Sequence, residues 1–309
     1  MNRFSKILVT VDVTAASFGA PGGPGPEALA LADVVSNLRA VQQTPAHVTV
    51  ITVIPEGHDQ AGEVLEAARK SLVERFVPQL ASSDDVEVLV KTGVPFVEVI
   101  HEVVSGGHDL VVVAARQSDQ AGDKIVSHMA TQLIRKCPCP VWVAPRRKMI
   151  PGEGSVLSAV ALNHGPSSDV LQLAASVAAL TKREWNILHV PEYPLEGGMR
   201  LRNVDADEVQ TYENECREKA WAELHALTDE LAEQAGVKPK MWMSEGRPSD
   251  QIVQAEEQLN AALIVLGTVA KGGLAGVLIG STAERTIAAA KSSVLAVKPN
   301  DFVCPIDFS

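Results

Sequence analysis

Residues 93–113, GVPFVEVIHEVVSGGHDLVVV, have a counterpart 153 positions later in residues 246–266, GRPSDQIVQAEEQLNAALIVL. Each segment opens with Gly-x-Pro, continues with a helical pattern and closes on a run of apolar residues. The correspondence extends without a gap to the last strand of each copy, where residues 141–143 match 294–296. Repeats of solenoid proteins have periods of roughly 20–50 residues, so this spacing indicates a duplicated domain. We expect one domain over 1–147 and a second over 153–300.

Within each copy, short apolar runs alternate with helical patterns, which is typical of parallel βαβ units. The first run, residues 6–12, is almost continuously apolar, as a buried parallel strand is. The sequence therefore predicts an α/β fold of two tandem open five-stranded parallel sheets with helices on both faces. The last strands, 141–144 and 293–298, should lie side by side, because each would otherwise be an exposed edge. This arrangement is a pseudo-dimer within one chain.

The second copy departs from the repeat by a long acidic helix, predicted over 205–234. Its apolar residues recur at helical spacing, which favours packing against the sheet with an acidic face in solvent. The residues of this stripe are Val209, Tyr212, Cys216, Ala220, Leu224, Leu227 and Leu231.

Composition excludes several classes of function. The chain has 309 residues, 46% of them hydrophobic, and a net charge of −11. That charge is −2 over residues 1–150 and −9 over 151–309, whereas nucleic-acid contact needs a basic face. No apolar run approaches the ~20 residues of a membrane span. The N-terminus leads straight into a strand without a signal-peptide pattern, so we expect a cytoplasmic location.

A turn in the second copy has the features of a phosphate site. Gly280, Ser281 and Thr282 fall where a helix should begin, and free backbone N–H groups at such an end attract an anion. Glycine lets the backbone approach a phosphate, and the two hydroxyls are further donors. The surrounding segment is neither a Walker loop nor a dinucleotide-binding G-x-G-x-x-G.

Four segments together resemble the universal stress protein family, in particular its tandem-domain members. They are residues 7–12 (ILVTVD), 104–111 (VSGGHDLV), 135–142 (RKCPCPVW) and 267–285 (GTVAKGGLAGVLIGSTAER). The resemblance covers essentially the whole chain and implies a cytoplasmic stress-response protein that binds a small ligand. In that family, the members that bind ATP have a motif G-x2-G-x9-G-[S/T]. They also have an aspartate at the end of the first strand that contacts adenine.

The two copies keep different parts of that family pattern. The second copy has Gly267, Ala270, Gly280 and Ser281 at the motif positions, but Ala161 at the expected position of the aspartate. The resemblance therefore implies weak binding of ATP or ADP by this copy, with no metal predicted.

The first copy reverses the pattern, since Asp12 is present while Ala114, Gln117, Ser127 and His128 occupy the motif positions. Larger side chains should crowd its phosphate end, so we expect a degenerate site. Whether it binds anything is left open, as is the oligomeric state beyond the pseudo-dimer.

Ligands of doubly wound sheets bind at the carboxyl ends of the strands near the topological switch point. We therefore expect the ligand of the second copy to be contacted by Ala161, Val190, Leu266, Gly267, Val269, Ala270, Gly280, Ser281 and Thr282. Three alternatives remain. An apolar or lipid-like molecule could occupy the interdomain or sheet-end cleft, the protein could be a slow ATPase that phosphorylates itself at Ser281 or Thr282, or the tandem could be empty.

Other polar residues are weaker candidates. No nucleophile with a spaced base stands out, and no catalytic residue is predicted. Cys137 and Cys139 lack the spacing and the nearby partners of a metal or redox site, which favours a structural role. His189, at a strand end, could line the cleft.

Overall fold

The computed structural model describes residues 4–13, 24–56, 61–82, 84–115, 126–144, 153–162, 166–268 and 279–307. The strands in chain order are β1 (Lys6–Thr10), β2 (His47–Ile54), β3 (Val86–Thr92), β4 (Leu110–Ala114), β5 (Val141–Ala144), β6 (Ser155–Val160), β7 (Trp185–His189), β8 (Pro239–Met243), β9 (Ala261–Gly267) and β10 (Ser293–Val297). The α-helices are α1 (Pro26–Val41), α2 (Ala61–Ser71), α3 (Pro95–Gly106), α4 (His128–Lys136), α5 (Ser167–Thr181), α6 (Glu196–Leu201), α7 (Ala206–Ala235), α8 (Pro248–Gln258) and α9 (Ser281–Ala289).

All ten strands form one sheet, in the order β3-β2-β1-β4-β5-β10-β9-β6-β7-β8. The two predicted five-stranded sheets form the halves of this sheet, and the pairing of β5 with β10 joins them. This pair is antiparallel, with Leu295 opposite Trp142 and Ala296 opposite Val141, whereas every other neighbouring pair is parallel. The predicted contact between the last strands is thereby confirmed. Each half gives the other a partner for a strand that would otherwise expose its backbone.

The two faces of the sheet carry two hydrophobic cores, and each core runs through both halves. Strand residues alternate between the faces. In β10, for example, Leu295 belongs to the core beneath α1, α5 and α7, whereas Ala296 belongs to the core beneath α3, α4, α8 and α9. Because neither core stops at the junction of β5 with β10, the halves share a continuous apolar interior.

The second helix ends irregularly. Its α-helical part, α2, ends at Ser71 and passes into a π-helical turn, Leu72–Phe76, and a 3-10 turn, Val77–Gln79. Pro78 cannot donate a backbone hydrogen bond, so an α-helix cannot continue through it undisturbed. The short helix α6 was not predicted.

The long acidic helix is present as α7, and Asp205 caps its N-terminus by accepting a hydrogen bond from the Asp207 N–H at 2.9 Å. Three residues of the predicted stripe, Val209, Ala220 and Leu224, are buried. The helix therefore packs on the sheet as its pattern indicates. In the described ranges, no helix is both long and apolar enough to cross a membrane.

Candidate functional site

A cavity of about 530 Å³, here called cavity 2, lies at the carboxyl ends of β6, β7 and β9. The chain proceeds from β6 to β7 on one side and returns to pair β9 on the other side, so the cavity sits at a topological switch point. Seven of the predicted contact residues line it, namely Ala161, Val190, Leu266, Gly267, Gly280, Ser281 and Thr282. The other two, Val269 and Ala270, lie outside the described residues.

The N-terminus of α9 opens into cavity 2. Its N-cap, Gly280, has φ −61° and ψ 140° and makes no side-chain capping hydrogen bond. The Gly280 N–H donates to the Thr268 carbonyl at 3.1 Å, which ties the start of the helix to the end of β9. The first N–H groups of a helix lack intrahelical acceptors and carry the positive end of its dipole. This wall of the cavity is therefore suited to an anion.

Gly267 is needed for close packing between β9 and the start of α5. A Cβ at this position would lie 2.9 Å from both Cδ and Cγ of Pro166, which itself lines the cavity. The next residue, Ser167, donates its hydroxyl hydrogen to the Ala161 carbonyl at 2.8 Å. The glycine thus lets two sides of cavity 2 approach each other, a role that does not require a bound nucleotide.

Several cavity residues were not predicted, including Pro166, Ser167, Val170, Glu192, Pro248 and Ile252. Pro166, Ser167 and Val170 come from the beginning of α5, and Pro248 and Ile252 come from α8. Glu192 lies three residues after the end of β7. This short distance from a strand end could have indicated from the sequence that Glu192 lines the cleft. Glu192 brings a carboxylate to a cavity in which the described wall contains no lysine or arginine.

The first copy has a corresponding cavity of about 340 Å³, here called cavity 1, at the ends of β1, β2 and β4. Strand register fixes which residues correspond. Val9 lies opposite Val112 in the first copy, and Ser158 lies opposite Val265 in the second. Counting three residues onward from Val9 and from Ser158 pairs Asp12 with Ala161. The equivalence expected from sequence is therefore supported by the geometry.

The helix that borders cavity 1 is capped by its own side chain. Ser127, the counterpart of Gly280, accepts a hydrogen bond from the Ala130 N–H at 3.1 Å. The next residue, His128, is exposed and stands edge-on to Phe96, with 6.3 Å between the ring centroids and an interplanar angle of 79°. These side chains line cavity 1, and its smaller volume agrees with the expected crowding. Gln117 lies outside the described residues.

His189 does not line cavity 2 within the described wall, contrary to the role considered from sequence. Its side chain is buried, and Nδ1 lies 2.9 Å from the Val160 carbonyl oxygen, to which it donates. Burial lowers the pKa of His189, so the neutral ring is favoured. Leu188, the preceding residue, points to the opposite face and does line the cavity.

Cys137 and Cys139 are buried thiols whose Sγ atoms are 3.5 Å apart. The hydrogen bond to Cys137, together with burial, raises the pKa of the Cys139 thiol well above its ordinary value. A reactive cysteine needs the opposite shift, which agrees with the structural interpretation. Across the described ranges, no group of three or more His, Cys, Asp or Glu side chains is arranged to hold a metal ion.

Comparison with known proteins gives consistent relationships over the full length. The model of the Universal stress protein family matches residues 4–145 and 155–298. Universal stress protein E of Photorhabdus laumondii is 31% identical over 234 residues, which are 74% of this chain and 73% of the relative. Universal stress protein E of Escherichia coli K12 is 30% identical over 225 residues, 69% of this chain and 68% of the relative.

Solved structures agree on the fold. A universal stress protein from Archaeoglobus fulgidus superimposes with a TM-score of 0.68 at 17% identity, covering 95% of this chain and 98% of the other. A putative universal stress protein from Pseudomonas aeruginosa gives 0.65 at 20% identity, covering 97% and 95%. At these identities the likeness concerns architecture alone.

Proposed function

The chain belongs to the universal stress protein family, and on that premise we propose that cavity 2 binds an adenine nucleotide, ATP or ADP, weakly. The observation that carries this proposal is the uncapped N-terminus of α9 facing a cavity of about 530 Å³. Backbone N–H groups and the Ser281 and Thr282 hydroxyls would hold the phosphates at that wall. The base and sugar would lie against the more apolar strand ends.

Two substitutions within the family motif make the binding weak. Ala161 cannot accept or donate a side-chain hydrogen bond at the position where the family motif has its aspartate. Ala270 replaces a motif glycine. Alanine in place of a glycine with positive φ costs roughly 1 kcal/mol, and together with one lost hydrogen bond the expected loss is about 2–3 kcal/mol. That corresponds to an affinity roughly 30- to 150-fold below that of an intact motif.

We also propose that the protein binds its nucleotide without transforming it and acts in the cytoplasm in a stress response. The names of the curated relatives, Universal stress protein E, support the stress-response part of this role. The division into domains at 1–147 and 153–300 is part of the same proposal. ATP hydrolysis should not exceed that of a protein-free control, because within the described residues no group of side chains arranged to hold a metal ion accompanies the turn.

Calorimetric titration with ATP tests the site. The variant Gly280→Val places a branched side chain at the mouth of α9 and should abolish measurable binding. The matched variant Ser127→Val makes a comparable change in cavity 1 and should leave binding unchanged. Loss of ATP binding confined to Ser127→Val would place the nucleotide in the first copy and overturn the proposal.

Restoration of the aspartate provides a test in the opposite direction. The variant Ala161→Asp should tighten ATP binding by about tenfold, since a single hydrogen bond contributes about 1–1.5 kcal/mol. An unchanged affinity would mean that adenine does not lie against the end of β6. Tight ATP binding by the unmodified chain would contradict the proposed weakness of the site.

A further inference from the structure

The ten-stranded sheet ends in two strands that differ in how their outer edges are protected. At one end, β8 (Pro239–Met243) has five residues, and at the other end β3 (Val86–Thr92) has seven. The Ser244 N–H donates to the His189 carbonyl at 3.2 Å. Even-numbered residues of β8 therefore bond to β7, and odd-numbered residues point their backbone groups outward. Pro239 is one of the latter and has no N–H to offer, which is a common way to block an edge.

The outer edge of β3 has no such block. The Gly93 N–H donates to the Ile54 carbonyl, and the Val48 N–H donates to the Asp85 carbonyl, both at 3.1 Å. Odd-numbered residues of β3 therefore bond to β2, and the even-numbered residues from 86 to 92 point their N–H and C=O groups outward. None of them is proline. Among the described residues no other strand pairs with this side of β3, so the edge can accept a further strand.

The charges of β3 match those of a second β3 that runs in the opposite direction. Glu87 and Lys91 lie on one face of the sheet, two residues before and two residues after Leu89. In an antiparallel pair with its two-fold axis at Leu89, Glu87 of each copy lies opposite Lys91 of the other. The outward groups of Val88 and Val90 then form hydrogen-bonded pairs. The charged residues fall in the non-hydrogen-bonded pairs, where side chains are closest, and opposite charges there stabilise the pairing.

Both charged groups have partners within the chain, and both can accept another. Glu87 Oε2 lies 3.7 Å from His47 Nε2, and the Glu87 side chain is 53% exposed. Lys91 Nζ lies 2.7 Å from Glu102 Oε2, and an ammonium group has three donors. Because an exposed ion pair contributes little to stability, Glu87 can exchange its contact with His47 for one with Lys91 of a second copy at little cost.

We propose that β3 is an interface between two copies of this chain, which pair antiparallel about Leu89 and extend the sheet across a two-fold axis. The pairing of β5 with β10 joins the two halves of the chain in the same antiparallel way. No residue of β3 lines cavity 2, so the interface is independent of the nucleotide site proposed there.

Charge exchange tests the interface with the full chain. In sedimentation equilibrium over a series of concentrations, the unmodified protein should associate to twice the mass of the chain. Glu87→Lys places two ammonium groups opposite each other and should weaken dimerisation by about tenfold or more. Lys91→Glu should weaken it similarly. The latter change is combined with Glu102→Gln, so that two carboxylates do not meet within one chain, and Glu102→Gln alone is its control.

Mixing the two charge variants gives the decisive result. In a heterodimer of Glu87→Lys with the Lys91→Glu, Glu102→Gln protein, every opposite pair again joins an ammonium group to a carboxylate. The equimolar mixture should therefore dimerise at least as tightly as the unmodified chain, although each variant alone does not. Recovery in the mixture also shows that both variants are folded.

A backbone variant tests the same edge without a change in charge. Val88→Pro removes an outward N–H from β3, as Pro239 does in β8, and should leave the chain monomeric. The matched control Met241→Pro removes an outward N–H from β8 and should not affect dimerisation. A cooperative thermal transition shows that each proline variant is folded.

The proposal is overturned if the unmodified chain stays monomeric at the highest concentration at which it is soluble. It is overturned equally if the charge variants dimerise as tightly as the unmodified chain, if their mixture does not recover association, or if folded Val88→Pro remains a dimer.

Discussion

The helix that borders cavity 1 and the helix that borders cavity 2 begin with nearly the same backbone conformation. The N-cap Ser127 has φ −59° and ψ 151°, and the N-cap Gly280 has φ −61° and ψ 140°. Glycine at position 280 is therefore not required by the backbone angles, which any residue adopts readily. What distinguishes the two ends is the serine oxygen that accepts a hydrogen bond in one and is missing in the other. The comparison shows that one side chain decides whether such a helix end is capped by its own residue or has no side-chain cap.

The two copies also differ in the positions of the carboxylates at their strand ends. Asp12 in the first copy corresponds to Ala161 in the second, while Glu192 in the second corresponds by strand register to Pro55 in the first. Carboxylates have thus moved between neighbouring strand ends without a change in the fold. Strand order and helix placement fix where each cavity lies, and the two copies differ in which strand end carries a carboxylate.

The largest expected effect is on the pairing of β5 with β10, which joins the two halves of the sheet. Ala296→Asp or Val143→Asp would bury a carboxylate where β10 pairs with β5, at positions that are 3% and 4% exposed. The unpaired buried charge should reduce the free energy of unfolding by several kcal/mol, on the order of 3–5 kcal/mol. Urea unfolding measures this loss.

The exposed position Val303 gives the control for that prediction, since Val303→Asp places the same charge in solvent at 77% exposure. Its unfolding midpoint should stay close to that of the unmodified protein. If both junction variants also keep their midpoint, the pairing of β5 with β10 does not hold the halves together, and each copy folds by itself.

Gly267→Ala should have the next largest effect. The added Cβ would lie 2.9 Å from the ring of Pro166, so the start of α5 must shift, at a cost of about 1–3 kcal/mol. Thermal unfolding with calorimetry measures the cost, and ATP titration should show weaker binding as well. The reverse change in the first copy, Ala114→Gly, should cost only about 0.5–1 kcal/mol. Equal losses in the two variants would show that the contact with Pro166 is not the cause.

Exchange of the N-caps tests the helix comparison directly. Gly280→Ser should let the new hydroxyl accept a hydrogen bond at the start of α9 and compete with a phosphate, weakening ATP binding by about tenfold. Stability should change by only a few tenths of a kcal/mol, since glycine is itself an acceptable N-cap. Ser127→Gly should create no ATP binding in cavity 1, because Ala114 and His128 still occupy two of the motif positions of the first copy. Full ATP affinity in Gly280→Ser would show that the side-chain cap is irrelevant to binding.

The last prediction concerns a buried ammonium group that has no counterpart in the first copy. Lys298 Nζ donates to the carbonyls of Ile134 and Arg135 at the end of α4, at 3.0 Å for the latter, and to the Thr268 hydroxyl at 3.1 Å. Position 145, its counterpart 153 residues earlier, is proline. Burial lowers the pKa of Lys298 to about 8 from an ordinary value of 10.5.

The unfolded chain therefore binds more protons than the folded chain between about pH 8 and 10.5, and stability contributed by this residue rises with pH across that window. Relative to Lys298→Met, the unmodified protein should become more stable as the pH increases from 8 to 10.5. Paired urea unfolding curves at several pH values measure the difference. A difference that stays constant would mean that Lys298 keeps its ordinary pKa in the folded state.

The local structure of this chain could be predicted closely because its signals are local. The acidic helix Ala206–Ala235 and the last strands, Val141–Ala144 and Ser293–Val297, each appear near the predicted bounds. The predicted contact residues that the structure describes also line one cavity. They could be predicted because the ends of strands and the start of a helix define its position.

The sequence by itself determined the duplication, the βαβ order and the position of the turn over residues 280–282, because these depend on spacing and periodicity along the chain. The tertiary structure alone decided that the strand pair joining the two halves is antiparallel, that His189 faces away from the cavity, and that Pro166 faces into it. It also decided that Ser127 closes one helix end while Gly280 leaves the other free of a side-chain cap. These features depend on which face a strand residue takes and on distances between segments far apart in sequence, and a linear pattern does not contain those distances.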